Sequence, residues 1–102
     1  MLEFSCDAAS HTLTCALAGR MDSETSGQVQ AGIEERLAAV PDANARLVLN
    51  MAQVSYMASA FLRVCITMAK RLPRERFAVV ECVPLVRKTF TMAGLDQVMS
   101  IS

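Results

Sequence analysis

The chain has 102 residues, 53% hydrophobic and 20% charged, and its 10 basic and 10 acidic residues give a formal net charge of zero. This length fits one domain, and the apolar content excludes intrinsic disorder. A neutral chain also lacks the basic surplus of a general binder of nucleic acid or of anionic membranes. The mean hydropathy of +0.33 is high for a small protein, and a membrane segment, a buried sheet or apolar surface kept for a partner would each explain it.

A membrane segment is the first of these explanations to fail. No stretch approaches the roughly 18 consecutive apolar residues of a spanning helix, and the apolar runs 47–49 and 77–80 have the length of strands. The N-terminal residues MLEF lack the basic and apolar regions of a signal peptide. We therefore expect a cytoplasmic protein that does not insert into a membrane.

The chain begins with two segments in which apolar and polar residues alternate. The apolar positions are Leu2, Phe4 and Cys6 in the first segment and Leu13, Cys15 and Leu17 in the second. A period of two with one polar face is typical of half-buried strands. Residues 8–11, which lie between them, are predicted to form a hairpin turn.

A helix is predicted from Asp22 or Ser23 to about Val40. The side chain of either residue can accept a hydrogen bond from the free amides at a helix start. An apolar stripe then follows helical spacing at Val29, Ile33, Leu37 and Val40. Residues 41–44, which include a proline and an asparagine, predict a stop and a turn.

Two strands with continuous apolar centres are predicted at residues 46–51 and 76–82. Such runs are typical of strands covered on both faces. Between them, a helix is predicted to start at Ser59 and to end before Pro73. Its apolar positions are Leu62, Cys65, Ile66, Ala69 and Leu72, and the stripe is widened by Phe61, Val64 and Met68.

The chain closes with a short helix and a strand. Val83 and Pro84 open the helix, Gly94 closes it as a left-handed cap, and the strand covers residues 97–101. Strands that alternate with helices require crossover connections and a mostly parallel sheet. The predicted fold is α/β: one domain over residues 1–102, in the order β-β-α-β-α-β-α-β. It has a mixed sheet of about five strands, with the N-terminal hairpin at one edge and helices packed on it.

The four cysteines lie within apolar patterns, so we expect buried, reduced thiols. Cys6, His11 and Cys15 could in principle gather around zinc, but the two cysteines fall on facing strands without a known ligand spacing. We therefore expect no metal, no other cofactor and no disulfide.

The sequence contains no recognisable enzyme motif. It lacks a G-x-x-x-x-G-K-S/T phosphate loop and a G-x-G-x-x-G motif, although a catalytic pair could still form in space. A thiol enzyme could use Cys65 or Cys82, but an apolar setting raises the pKa of a thiol and makes it a poor nucleophile. We expect that the protein is not an enzyme.

Four segments of the chain match a known pattern in its order and spacing. Residues 17–22 (LAGRMD) match L-x-G-x-L/M-D, and residues 46–51 (RLVLNM) resemble I/V-V/I/L-L-D/N-L/M. Residues 54–64 (VSYMASAFLRV) match V-x-F/Y-I/M-D/S-S-S/A-G-L-R/G-V, and residues 83–96 match a closing x-P-x-V-R/K … G-L-D. Together they resemble the STAS domain family, the module of bacterial anti-sigma-factor antagonists, over nearly the whole chain.

The resemblance implies regulation by partner switching. In this family an unphosphorylated antagonist binds a serine-kinase anti-sigma factor and releases a sigma factor, and the kinase phosphorylates a serine at the start of the second helix. That serine corresponds to Ser59. The resemblance implies a surface that binds an anti-sigma factor or serine protein kinase around Ser59, at Asp22, Ser23, Met57, Ala58, Phe61, Leu62 and Arg63. We expect a monomer or weak homodimer without a nucleic-acid partner.

Three residues depart from the family pattern. Ala58 replaces a common Asp or Ser, Phe61 replaces the usual Gly, and Asn50 replaces the commoner Asp. Phe61 could hinder a kinase, change the partner or fill the core, and Ser59 could be an ordinary helix cap. Ala58 and Phe61 fit an alternative equally well: a STAS accessory subunit of another complex, such as a transporter ATPase, without a phosphorylation cycle.

The apolar residues around Ser59 allow two interpretations. Met57, Phe61, Val64 and Met68 are either part of the core, as apolar stripes usually are, or an exposed patch for a partner.

Overall fold

The computed structural model describes residues 2–7, 11–38 and 45–102. Residues 8–10 of the predicted hairpin turn, Val40 and the predicted turn at 41–44 lie outside the described residues. The described strands are β1 (Leu2–Asp7), β2 (Thr12–Met21), β3 (Arg46–Met57), β4 (Phe77–Val80) and β5 (Ser100–Ile101). The described helices are α1 (Ser23–Ala38), α2 (Ser59–Arg71) and α3 (Pro84–Met92).

The predicted fold class and order of elements are confirmed. The five strands form one sheet in the order β1-β2-β3-β4-β5. β1 pairs antiparallel with β2 at the edge, and the other three pairs are parallel. Each parallel connection advances by one strand in the same direction, so right-handed crossovers place all three helices on one face of the sheet.

One hydrophobic core fills the space between the helices and that face. Alternate strand residues point into it, including Leu13, Cys15, Leu17, Leu47, Leu49, Phe77 and Val79. The helices contribute Val29 and Ile33 from α1, Phe61, Val64, Cys65 and Met68 from α2, and Val86 and Phe90 from α3. Large apolar side chains from every layer thus share one contiguous cluster, as expected for a small single domain.

The opposite face of the sheet is more exposed. Val48, Ala78 and Val80 are only partly buried, Ala16 is exposed, and the register aligns Val48 with Ala78 and with Thr14. The prediction that the strands at 46–51 and 76–82 are covered on both faces is therefore wrong. Their outward residues are small or β-branched, so they complete an apolar run in the sequence without needing a second layer of helices.

Several strand boundaries differ from the predicted ones. β3 continues to Met57 because its second half pairs with the end of β2 after a bulge in the register. β4 and β5 are shorter than predicted, since Arg74–Arg76 and Leu95–Gln97 form 3-10 turns beside them. Gly94 has a φ of 77° and ends α3 in the left-handed conformation, as predicted.

The buried face of α2 is formed by Phe61, Val64, Cys65 and Met68. Phe61, Val64 and Met68 are 0%, 4% and 0% exposed, whereas Ile66 is 40% exposed. The first three residues therefore belong to the core and form no exposed patch. Ile66, one of the apolar positions of the predicted helix, lies outside the core, because α2 turns Phe61, Val64, Cys65 and Met68 toward the sheet.

In the part of the chain that the structure describes, no helix is long and apolar enough to cross a membrane.

Candidate partner-binding site

The carboxyl end of β2 and the start of α2 meet at one edge of the sheet. Met21 pairs with Met57 across β2 and β3, and the amide of Ala58 donates a 2.9 Å hydrogen bond to the carbonyl of Met21. Asp22 follows β2 directly, and Ser59 follows Ala58 directly. Because the carboxyl ends of parallel strands lie at the same edge, the residues after β2 and those after β3 are neighbours.

Asp22 caps the start of α1, as the sequence predicted. Its Oδ1 accepts a 2.9 Å hydrogen bond from the amide of Thr25, and Ser23 is the first helical residue. That hydrogen bond, with a smaller effect of the Arg20 guanidinium, lowers the pKa of the Asp22 carboxyl. The start of α1 therefore presents a carboxylate to solvent at neutral pH.

Ser59 is the first residue of α2, and its side chain is exposed. The cap position is occupied by Ala58, which is extended and makes no side-chain hydrogen bond to the helix. The interpretation of Ser59 as an ordinary N-cap is therefore wrong, because the N-cap is the preceding residue, Ala58. Since the first turn of α2 also contains no acidic residue, the positive end of this helix is open to an anion.

Phe61 does not reach the surface around Ser59. Its ring is fully buried in the core, whereas Leu62 is partly buried and Arg63 is exposed on the outer side of α2. Of the three consequences considered for a phenylalanine at this position, filling the core is the one that the structure supports. The expectation that Phe61 touches a partner is wrong, because helical spacing turns it inward with Cys65.

The exposed side of α2 extends beyond the residues predicted from the sequence and includes Ile66. Ile66 follows Ser59 by two helical turns and Leu62 by one, so these residues share a helix face. The signal that could have identified Ile66 is the width of the apolar arc of α2, which is more than one sheet face can cover. We define the Ser59 surface as Ser59 with Asp22, Ser23, Met57, Ala58, Leu62, Arg63 and Ile66.

Arg20 and Tyr56 lie beside this surface and were not singled out from the sequence. The two residues are paired in the β2–β3 register, and the Arg20 guanidinium carbon lies 4.4 Å from the centre of the Tyr56 ring. Tyr56 is nevertheless 43% exposed. The contact is a cation–π interaction that holds a large aromatic ring at the surface.

The departure at Asn50 has a structural explanation. Its Nδ2 donates a 2.9 Å hydrogen bond to Oε2 of Glu81, and its Oδ1 accepts a 3.0 Å hydrogen bond from the amide of Ala52 at the β3 bulge. Glu81 has a positive φ of 55°, a conformation that few non-glycine residues adopt. An aspartate at position 50 could not donate to Glu81, so Asn50 and Glu81 form a matched pair.

The described thiols are poorly suited to nucleophilic chemistry. Cys15, Cys65 and Cys82 are buried and free. Burial raises the pKa of the Cys15 thiol to about 11 and raises the pKa values of Cys65 and Cys82. The thiolate, which is the nucleophile, is therefore scarce at neutral pH. The described part of the chain also holds no group of three or more His, Cys, Asp or Glu residues placed to bind a metal.

Comparisons with known proteins agree with this architecture. A family model described as "Mlab, STAS domain" matches residues 4–101. BtrV of Bordetella bronchiseptica, named as a putative anti-sigma factor antagonist, is 28% identical over 103 residues, which cover 99% of this chain and 86% of BtrV.

Solved structures of anti-sigma factor antagonists share the fold of this chain. An anti-sigma factor antagonist from Mycobacterium paratuberculosis superposes with a TM-score of 0.77 at 22% identity, covering 99% of this chain and 85% of its own. The Bacillus antagonist SpoIIAA in its phosphorylated form gives a TM-score of 0.72 at 20% identity, covering 100% of this chain and 91% of its own.

Proposed function

The chain belongs to the STAS domain family, and from this membership we propose that it is an anti-sigma-factor antagonist. In this proposal a serine-kinase anti-sigma factor binds at the Ser59 surface, and phosphorylation of Ser59 by that kinase releases it. The resemblance of the chain to BtrV and the fold that it shares with SpoIIAA support the proposal.

The observation on which the proposal rests most is the position of Ser59. Its hydroxyl is exposed on the first residue of α2, and the start of that helix has no side-chain cap. A kinase can reach such a hydroxyl without unfolding the domain. Because Phe61 is turned into the core, the large residue at that position leaves the approach to Ser59 open.

A phosphate on Ser59 would fit the folded domain. It adds a charge of about −1.5 to −2, and the amides at the start of α2, together with the helix dipole, would stabilise that charge. Arg63, one turn further on the same face, is placed to pair with it. The helix would therefore remain intact, and the new charge would act on the partner.

The Asp22 carboxylate adds to the negative charge that a phosphate on Ser59 would bring to this surface. Asp22 is kept ionised by its hydrogen bond to Thr25, and it lies at the same edge as Ser59. Phosphorylation would add about 1.5 to 2 negative charges to an edge that already carries the Asp22 carboxylate. A partner surface that suits the unmodified serine would then meet repulsion and uncompensated desolvation.

The test begins with capture of the partner from the native host, followed by incubation of the purified pair with ATP and location of phosphate by mass spectrometry. We expect an anti-sigma factor with serine-kinase activity and a single phosphate on Ser59. Ser23 is the matched control, since it is also an exposed first residue of a helix, but its helix start is already capped by Asp22. Phosphate on Ser23 instead of Ser59 would contradict the proposed site.

One observation favours the alternative function, an accessory subunit of a complex such as a transporter ATPase. Ala58 lacks the polar side chain that is common in the family before the phosphorylated serine, and that alternative needs no phosphorylation. Capture of a transporter ATPase, with Ser59 unmodified, would support the alternative and reject the antagonist function.

A further inference from the structure

A pocket of about 220 Å³ lies between the end of β3 and α3, apart from the Ser59 hydroxyl. It is lined by Ser55, Tyr56, Met57, Leu85, Val86 and Thr89. Two of these apolar side chains are conspicuously exposed, Tyr56 by 43% and Leu85 by 67%. Exposed apolar residues grouped around a cavity are typical of interaction sites, whereas isolated ones are common on any surface.

The pocket borders the Ser59 surface. Met57 belongs to both, and it precedes Ser59 by two residues. Tyr56 is held by Arg20, whose guanidinium also influences the Asp22 carboxyl. A partner that covers Ser59 and Asp22 would therefore reach the mouth of the pocket without a gap.

Cationic side chains lie at the pocket, although the chain as a whole is neutral. Arg20 lies on the Tyr56 ring, and α3 contains Arg87 and Lys88 but no acidic residue. Lys88 follows Leu85 by three positions, so it lies on the same helix face. Two carboxylates are also nearby: Asp22, which caps α1, and Glu81, which accepts a hydrogen bond from Asn50.

The size of the pocket indicates what could enter it. Pockets for small molecules usually enclose roughly 300–1,000 Å³, and this one is smaller. It has room for one large apolar side chain with a short stretch of its backbone. Protein interfaces commonly concentrate their binding energy in one such anchor.

We infer that this pocket receives an apolar side chain from an acidic segment of the anti-sigma partner that binds at the Ser59 surface. The inference rests on the proposed function and adds a second contact to it. The apolar anchor fills the space between Tyr56 and Leu85, and carboxylates beside it face Arg20 and Lys88.

Photo-crosslinking with the captured partner tests this contact directly. The photoreactive residue p-benzoylphenylalanine is placed at Leu85 in the pocket, at Arg63 on the Ser59 surface, and at Val98 as a control. Val98 is an apolar residue that is 42% exposed, but it precedes β5 and so lies at the opposite edge of the sheet from Leu85, which follows β4. We expect crosslinks from Leu85 and Arg63 to the same partner, and none from Val98.

Affinity measurements on the same pair test whether the apolar contact at Leu85 and the charge of Lys88 contribute to binding. Leu85→Gln should weaken binding by about tenfold or more, as for an anchor residue, whereas the matched Val98→Gln variant should bind normally. Lys88→Glu should weaken binding by about three- to tenfold at low salt, and high salt should reduce that difference. Leu85 and Lys88 are exposed, so both variants should fold like the wild type.

The outcomes separate this inference from the proposed function. Crosslinking from Arg63 alone, with normal binding by Leu85→Gln, would reject the pocket contact and leave the antagonist function standing. Failure of the partner to crosslink at either position would reject both the pocket contact and the proposed binding at the Ser59 surface. Leu85-dependent binding of the chain to phosphatidylglycerol vesicles, with unchanged binding to the partner, would assign the pocket to lipid and overturn the inference.

Discussion

Ser26 is the one polar residue among the fully buried side chains of the described chain. It is 1% exposed, and its hydroxyl has no hydrogen-bond partner. An unpaired buried polar group destabilises a protein by roughly 1–3 kcal/mol. We predict that Ser26→Ala raises the free energy of unfolding by about 1 kcal/mol in urea denaturation. The exposed Ser23→Ala variant should change it little, and a loss of stability in Ser26→Ala would show that the hydroxyl is bonded.

Asp22 links the stability of the domain to pH. Its carboxyl has a pKa below the ordinary value of 3.8, mainly because it accepts a hydrogen bond from Thr25. A lowered folded-state pKa means that the charged form stabilises the fold. This contribution is present in full above the ordinary pKa and disappears as pH falls through the lowered pKa.

The predicted signature is a pH-dependent difference between variants. Asp22→Ala should lower the melting temperature at pH 7, and its difference from the wild type should shrink below pH 3.8. Asp22→Asn keeps a capping oxygen without the charge, so its stability should depend less on pH in this range. An Asp22→Ala deficit that stays constant from neutral pH to well below pH 3.8 would show that the carboxylate charge contributes nothing.

Asn50 and Glu81 provide a test at the β3 bulge. Asn50→Asp should destabilise the domain by about 1 kcal/mol at pH 7, because a carboxylate would face Glu81 and the 2.9 Å hydrogen bond would be lost. Repulsion would raise the pKa of one carboxyl in the folded state, so the deficit should shrink as pH falls. Adding Glu81→Gln places an amide donor opposite the new carboxylate and should recover most of the stability. Failure of that double variant to recover would contradict the pairing.

At the scale of elements, α1 contains two glycines in different surroundings. A β-carbon at Gly27 would meet nothing within 4 Å, whereas one at Gly32 would lie 2.6 Å from Cζ of Phe4. The Phe4 ring also contacts Arg36, whose guanidinium carbon lies 3.8 Å from the ring centre. Gly32 therefore lets α1 approach β1 closely.

Alanine should act in opposite ways at these two positions. Gly27→Ala should raise the free energy of unfolding by about 0.5–1 kcal/mol through helix propensity. Gly32→Ala should give no gain or a net loss, because the Phe4 ring must move. Equal stabilisation by both substitutions in thermal denaturation would show that Phe4 does not pack against Gly32.

Comparison of the predicted and observed elements shows which local sequence signals were sufficient to predict a strand, a helix start or a turn. Alternation in β1 and β2, the Asp22 cap and the Gly94 left-handed turn are local features, and each predicted its element. The extension of β3 to Met57 depends on pairing with β2 across a bulge, so it has no local signal. The buried face of α2 is also a tertiary outcome, since its apolar residues span a wide arc and packing against the sheet selects part of that arc.

At the scale of the whole molecule, the fold could be predicted from the order of elements because crossover connections leave few topologies. The apolar content now has a definite location: one core between three helices and one sheet face, with further apolar residues on the open face and around the Tyr56–Leu85 pocket. The position of Ser59 at a helix start was also predictable. The pocket was not, since it joins two segments about 30 residues apart whose residues have no common motif.

The most direct test of the proposed switch compares the affinity of the anti-sigma partner for the unmodified chain and for the chain phosphorylated on Ser59. Isothermal titration with the two purified forms gives both dissociation constants under one set of conditions. We predict that the phosphorylated form keeps its helical circular dichroism and binds at least about tenfold more weakly. Equal affinity of the two forms would contradict the proposal that Ser59 controls partner binding.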